Sequence, residues 1–256
     1  MSSEKSAAIV LKNVDFSETS SIVTIFTEEL GKIQALAKGA RRPKGPFANS
    51  LCLLSLANVV FIHKSSDSLD LLTEAKLERY FRGADFSLLQ LYTGYYLAEL
   101  VQTMTDNGDP HKELFGHLRT CLEVLGCQKC DASQVALYFE IQILDELGYW
   151  PVWESCASCG TPLPDEDRSM FGILEGGVLC APCRVGRRNV VKVSSAALSL
   201  LKLFQNSTLP ELLRCPEFPE VPELRRLLGR YISHILGRPP RMFQYLPLFT
   251  QIKDLS

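Results

Sequence analysis

Apolar residues follow two different rhythms along this chain, and the change falls near residue 80. Residues 7 to 14 and Ser20 to Thr27 are short runs rich in Ile, Val, Thr and Phe, and each reads as a strand. Glu28-Glu29-Leu30-Gly31 supplies a turn, with glycine where positive φ costs little. Lys32 to Lys38 alternates, with Ile33, Ala35 and Ala37 on one face and Lys32, Gln34, Leu36 and Lys38 on the other. That pattern predicts a half-exposed strand carrying its charge outward. Residues 39 to 46 hold two prolines and two glycines and predict a loop. Leu51 to His63 and Leu69 to Ala75 read as two further strands. Five short strands suit a small closed barrel, either an OB-fold or an SH3-like barrel.

From Asp85 the apolar period lengthens to that of a helix. Asp85 is a candidate cap for a helix whose Leu89, Tyr92, Tyr96 and Leu100 share a face. A second helix is expected from His111 to Leu125. A third runs from Val135 to Leu147, with Asp131 and Gln134 forming a start like a capping box. This third segment is apolar almost all round, as a central buried helix would be. Ser194 is expected to cap Ala196 to Gln205, and Pro222 to open a last helix ended by Gly237 and Pro239-Pro240. The predicted organisation is a barrel over residues 1–80 and a helical domain over 81–256, with an insert at about 150–190.

That insert carries the strongest chemical signal. Cys156-Ala-Ser-Cys159 and Cys180-Ala-Pro-Cys183 are two Cys-x-x-Cys pairs separated by twenty residues. Each such turn places two sulfurs on one side of a tetrahedron, so the pairs predict one structural zinc ion held by four thiolates. Four thiolates leave no open coordination position, so the metal would hold structure and do no chemistry.

Composition narrows the setting. Hydrophobic residues make up 46% of the 256, enough for a core, and no apolar stretch approaches the ~20 residues of a membrane span. The N-terminus lacks the apolar core of a signal peptide. The nine cysteines are an odd number and two pairs have metal spacing, which points to a reducing cytosol. Net charge is −2, against the high pI common in nucleic-acid proteins, yet local potential can override the total. From Gly31 to Ser66 there is no acidic residue, while Lys32, Lys38, Arg41, Arg42, Lys44 and Lys64 fall within it. This basic stretch is either a nucleic-acid contact or a solvated loop.

The remaining candidates divide similarly. Arg184, Arg187, Arg188 and Lys192 follow the last zinc cysteine, where they would either extend a nucleic-acid surface or offset the charge of a tetrathiolate. Cys127-Gln-Lys-Cys130 has redox-dithiol spacing but no neighbouring histidine, and reads as an incidental turn. Asp165-Glu166-Asp167 sits in a Pro-bounded loop and reads as solvated. No GxxxxGK[ST] loop suggests an ATPase, and no carboxylate set suggests a two-metal nuclease. No catalytic residues are expected. Phe47 and Phe61 are the aromatics nearest the basic stretch. Phe61 lies within a strand and is expected in the core, and Phe47, following Gly45-Pro46, is the candidate for base stacking.

The order of these features resembles the RecO family of DNA repair proteins over nearly the whole chain. The resemblance rests on residues 18–33 (ETSSIVTIFTEELGKI), residues 37–42 (AKGARR), the Leu-Gly-Tyr that ends at Tyr149, and Leu236-Gly-Arg-Pro-Pro-Arg. The family usually continues the last signature with a serine-arginine pair, whereas Met242 and Phe243 stand here. The resemblance implies an α+β protein. A five-stranded OB-fold barrel would precede an α-helical domain with a four-cysteine zinc-finger insert. It further implies a non-enzymatic recombination mediator in the bacterial cytosol, associated with the nucleoid. Such a protein binds and anneals single- and double-stranded DNA, partners RecR and SSB, and helps RecA load on SSB-coated strands. Contacts to DNA are then expected at Lys32, Lys38, Arg41, Arg42, Lys44, Phe47, Arg187 and Arg188. The alternative is an RNA-binding or ribosome-associated barrel protein with structural zinc, since barrels accept both nucleic acids.

Overall fold

A computed structural model describes residues 2–42, 45, 47, 49–63, 69–164, 169–214 and 218–250. Lys44, Lys64 and the Asp165–Asp167 cluster lie outside the described residues. Contacts divide the chain into two compact units, Met1–Lys129 and Cys130–Ser256.

The first unit is built on five strands: β1 (Ser2–Asp15), β2 (Ser21–Thr27), β3 (Gly31–Ala37), β4 (Leu56–His63) and β5 (Asp70–Arg79). They close as β1-β2-β3-β5-β4. All pairs are antiparallel except β3 with β5, where Ala35 faces Asp70 and Ala37 faces Leu72. This order, closed by one parallel pair, is the OB-fold. Alternation puts Val23, Ile25, Ile33, Ala35, Val59 and Phe61 inside the barrel. A register shift between Val10 and Lys12 marks a bulge that bends the long β1, so that it pairs with both β2 and β4.

The barrel's wall is covered by α1 (Leu88–Met104) and α2 (Lys112–Cys127). Phe26 on β2 meets Phe115 on α2 at 5.9 Å between ring centroids. Ser87, and not Asp85, caps α1, its hydroxyl accepting from Gln90 N at 3.1 Å. Asp85 instead lies in a short 3-10 turn, Gly83–Asp85. The segment 51–55 is not strand either. Leu54 has φ +61, and Ser55 donates its hydroxyl to Cys52 O at 2.7 Å, so a turn delays β4 to Leu56.

The second unit centres on α3 (Ala132–Glu146), buried on nearly every side. Asp131 caps it through Ser133 N at 2.8 Å. Gly148, at φ +73, ends it: Tyr149 N donates to Leu144 O at 2.8 Å and Gly148 N to Asp145 O at 3.1 Å, satisfying carbonyls the helix leaves open. Then come β6 (Met170–Gly172), β7 (Gly177–Val178), α4 (Ala181–Arg184) and β8 (Val190–Lys192), with the strands ordered β7-β6-β8. Helices α5 (Ser195–Asn206), α6 (Leu209–Leu212), α7 (Val221–Ile235) and α8 (Pro247–Thr250) complete the unit. Glu140 on α3 and Arg225 on α7 are both buried and paired. Among the described residues, no helix is long and apolar enough to cross a membrane.

Candidate metal centre and nucleic-acid interface

Two knuckles bring the four cysteines together. In the first, Cys156 N donates to Thr161 O at 2.8 Å, and Gly160, at φ +72, lets its own N–H return to Cys156 O at 2.8 Å. In the second, Cys180 is the residue before α4, and Arg184 N donates back to Cys180 O at 3.1 Å. The ligand atoms of Cys156, Cys159, Cys180 and Cys183 all lie within 4.8 Å of one another. Cys159 Sγ and Cys180 Sγ are 3.8 Å apart. A tetrahedral ion with metal–sulfur bonds of about 2.3 Å sets its sulfurs roughly 3.8 Å apart, so spacing and donor set both fit a metal ion.

The sulfurs perturb one another as a crowded anion site does. Burial raises the Cys156 pKa, but backbone hydrogen bonds from Cys180, Cys159 and Ser158 outweigh it and bring the thiol down to about 6. The Thr161 hydroxyl, 3.2 Å from Cys159 Sγ, leads the groups that lower Cys159. Cys183 is pushed up to about 12, first by Cys180 and then by Cys159. A bound dication favours all four thiolates and removes this mutual penalty.

Packing ties the knuckles to the rest of their unit. Ala157 N donates to Val178 O at 2.8 Å, and Trp153, Phe171 and Tyr231 form an aromatic chain with centroid spacings of 5.0 and 5.7 Å. Arg187 belongs to this scaffold. Its guanidinium pairs with Glu175 at 3.3 Å, reaches Ser158 Oγ at 3.2 Å and donates to the Cys183 carbonyl at 3.3 Å. Those contacts link the two knuckles, while 47% of its side chain stays exposed. Arg188 is exposed.

Cys127 ends α2 and is exposed, while Cys130 is pushed up to about 11 by burial and then by Asp131. A raised pKa is the reverse of what a reactive thiolate needs.

In the first unit the basic stretch separates into residues with different tasks. Lys32 is corrected from the expected outward charge: it is 8% exposed, and its ammonium donates to Gln102 O at 2.7 Å and Thr105 O at 2.5 Å. Those carbonyls belong to the end of α1, where a helix leaves acceptors open and favours a cation. Burial lowers the Lys32 pKa, partly countered by Asp106. Phe47 is corrected too. It is 2% exposed and joins Ala8, Val10, Val23 and Ile25 inside the barrel, so neither ring face is open to a base. The turn closed by Ser50 N on Phe47 O at 3.0 Å directs the loop inward. Burying an aromatic ring outweighs the loop's tendency to stay at the surface.

Lys38, Arg41 and Arg42 are all exposed at the surface. Arg41 fastens the loop to the β1–β2 turn: its backbone N–H donates to Thr19 O at 3.2 Å, and its guanidinium reaches Ser17 O at 3.3 Å and Asp15 at 3.4 Å. Lys38 and Arg42 border an open groove of ≈ 370 Å³ together with Phe16, Ser17, Thr19 and Leu36. Phe16 is 62% exposed. The pattern of the chain does not single it out, although an aromatic inside the polar turn Asp15-Phe16-Ser17 is a signal of that kind.

Known proteins match this sequence along nearly its whole length. Family models described as recombination protein O N terminal and recombination protein O C terminal match residues 1–81 and 86–242. A DNA repair protein RecO of Rhodopirellula baltica is 39% identical, covering 94% of this chain and 97% of that protein. RecO proteins of Myxococcus xanthus (35% identical; 90% and 91% covered) and Syntrophus aciditrophicus (30%; 94% of each) are similar over nearly their whole lengths. A closed OB barrel with a basic loop, a helical unit with a four-cysteine cluster, and matches over both halves together make this chain a member of the RecO family of DNA repair and recombination proteins.

Proposed function

We propose that this protein is a DNA-binding recombination mediator that acts without chemical turnover in the bacterial cytosol, associated with the nucleoid. The observation that carries the reading is the family match over both halves of a chain whose barrel offers an exposed basic loop. In this reading Lys38 and Arg42 neutralise phosphates of single- and double-stranded DNA. Such contacts position the strand without reading its sequence, which suits a protein that must pair any two complementary strands. Arg41 orders the loop, Lys44 adds charge, and Arg188 offers a separate phosphate contact. The domain unit for DNA is residues 1–80, and residues 81–256 form the helical domain with its insert at about 150–190. The ion at Cys156, Cys159, Cys180 and Cys183 is zinc, one per chain, and it supports structure only.

The partners in this reading are RecR and SSB, with RecA acting downstream on the cleared strand. The test is annealing of complementary oligonucleotides coated with SSB, with and without RecR, followed by RecA filament formation. Accelerated annealing and earlier filaments are expected. Binding to matched RNA with equal or greater affinity, and no annealing, would replace the reading with an RNA-binding one.

A further inference from the structure

Phe16 is held in place yet left in water. Its backbone N–H and that of Ser17 both donate to Ser20 O, at 3.0 and 3.1 Å, which closes the β1–β2 turn tightly. Arg41 pins the same turn to the basic loop through Thr19 O, Ser17 O and Asp15. Leaving a phenyl ring 62% exposed on so ordered a turn forgoes the burial such a ring normally obtains. The ring borders the groove whose other members include Leu36, Lys38 and Arg42. Arg42 lies back over Gly39, its Cδ 3.6 Å from where a Cβ would stand. The turn carries two carboxylates: Asp15, whose charge Arg41 answers, and the exposed Glu18.

We propose that Phe16 is the base-stacking platform of the barrel: an unpaired base of single-stranded DNA stacks on its ring while Lys38 and Arg42 hold the flanking phosphates. This rests on the reading of the barrel as a DNA surface and deepens it. An aromatic face accepts any base, so the platform adds affinity without sequence preference. A duplex keeps its bases stacked on one another and has none to offer. The platform therefore discriminates single from double strands at a site where the phosphate contacts alone do not.

The experiment compares the full-length chain with its Phe16→Ala, Phe16→Trp and Lys38→Ala/Arg42→Ala variants. The probes are a fluorescent oligothymidine, the same backbone carrying abasic sites, and a duplex. Phe16→Ala is expected to bind oligothymidine roughly 5- to 150-fold more weakly, the range that stacking commands. It should bind the abasic strand and the duplex like wild type, with the salt slope unchanged because no counterion contact is lost. Phe16→Trp should restore affinity. Oligothymidine should quench its emission beyond that of the wild-type chain with its two tryptophans. Unaltered oligothymidine binding by Phe16→Ala, or equal loss on all three probes, overturns the stacking role. If Lys38→Ala/Arg42→Ala loses binding while Phe16→Ala does not, the DNA surface stands and the platform falls. A wild-type chain that binds none of the probes removes the DNA reading itself.

Discussion

Arg225 on α7 and Glu140 on α3 form an ion pair inside the second unit, Nη2 to Oε1 at 3.1 Å, with 2% and 0% of the two side chains exposed. Arg225 Nε reaches the same carboxylate at 3.3 Å, and the guanidinium lies 5.1 Å from the centre of the Phe249 ring. Two charges removed from water together stabilise little, but either one alone is costly. Glu140→Leu or Arg225→Met alone should each lower stability by about 3–5 kcal/mol, and the double change by much less. Urea unfolding of the three variants checks this, and additive losses would mean the two charges are not coupled.

Lys32 should behave as a cap and not as a DNA contact. Lys32→Met leaves Gln102 O and Thr105 O without their donor and should cost about 1.5–3 kcal/mol. Its DNA salt slope should equal that of the wild type. The pH dependence has a definite sign. Burial holds the folded pKa below the ordinary 10.5, so between the two values the unfolded chain binds the extra proton. The Lys32 contribution to stability therefore rises with pH through that window. Stability curves taken up to pH 10.5 should lose that rise in Lys32→Met.

Removing Lys38 and Arg42 together should weaken binding to all DNA sequences alike and flatten the single-strand salt slope by roughly 0.7 per lost contact. Arg41→Ala should act differently. It frees the basic loop from Asp15 and Ser17 O of the β1–β2 turn, so affinity falls with a smaller change of slope. Titrations at several salt concentrations separate the two effects.

Purified protein should contain about one zinc per chain. Cys180→Ser should abolish it and expose residues 150–190 to protease, while leaving the barrel folded. Metal analysis with limited proteolysis measures both. A metal-free chain with undiminished resistance would refute the structural role.

Two substitutions test the barrel. Ile25 is fully buried among the inward residues, and Ile25→Ala should cost about 2–5 kcal/mol. Gly31→Ala should also destabilise, by about 1–3 kcal/mol for the positive φ of +67 alone. A Cβ there would in addition overlap the Asp109 carbonyl. Circular dichroism melts rank both against wild type.

What the chain's pattern reveals, and what it hides, follows from the range of each interaction. Two Cys-x-x-Cys turns are local geometry, and the four sulfurs converge as the spacing implies. Alternation in Ile33, Ala35 and Ala37 places the core face of β3 where the structure has it. The same alternation sends Lys32 outward, which it is, but outward here means beneath the end of α1, about seventy residues away in sequence. Phe47 fails similarly: Gly45-Pro46 predicts a surface loop, but that Phe47 enters the barrel depends on the space between strands. Glu140 is visible in the sequence as an acid within the largely apolar run of residues 135–144, but its partner lies on α7. Capping is local, and Ser194 caps α5 as its sequence suggests. At α1 the nearby Asp85 competes for the same role, and Ser87 takes it.

Barrel closure also sets an order in time. Strand β1 pairs with β2 almost immediately, but its other edge waits for β4, where Ile9 meets Leu56 and Ser2 meets His63. On the ribosome that partner emerges roughly fifty residues later, a delay of about 3–10 s at ~5–20 residues per second. Until then the nascent chain carries an open strand edge able to recruit another chain. Translation that terminates between Ala37 and Leu56 would therefore release an aggregation-prone three-stranded sheet.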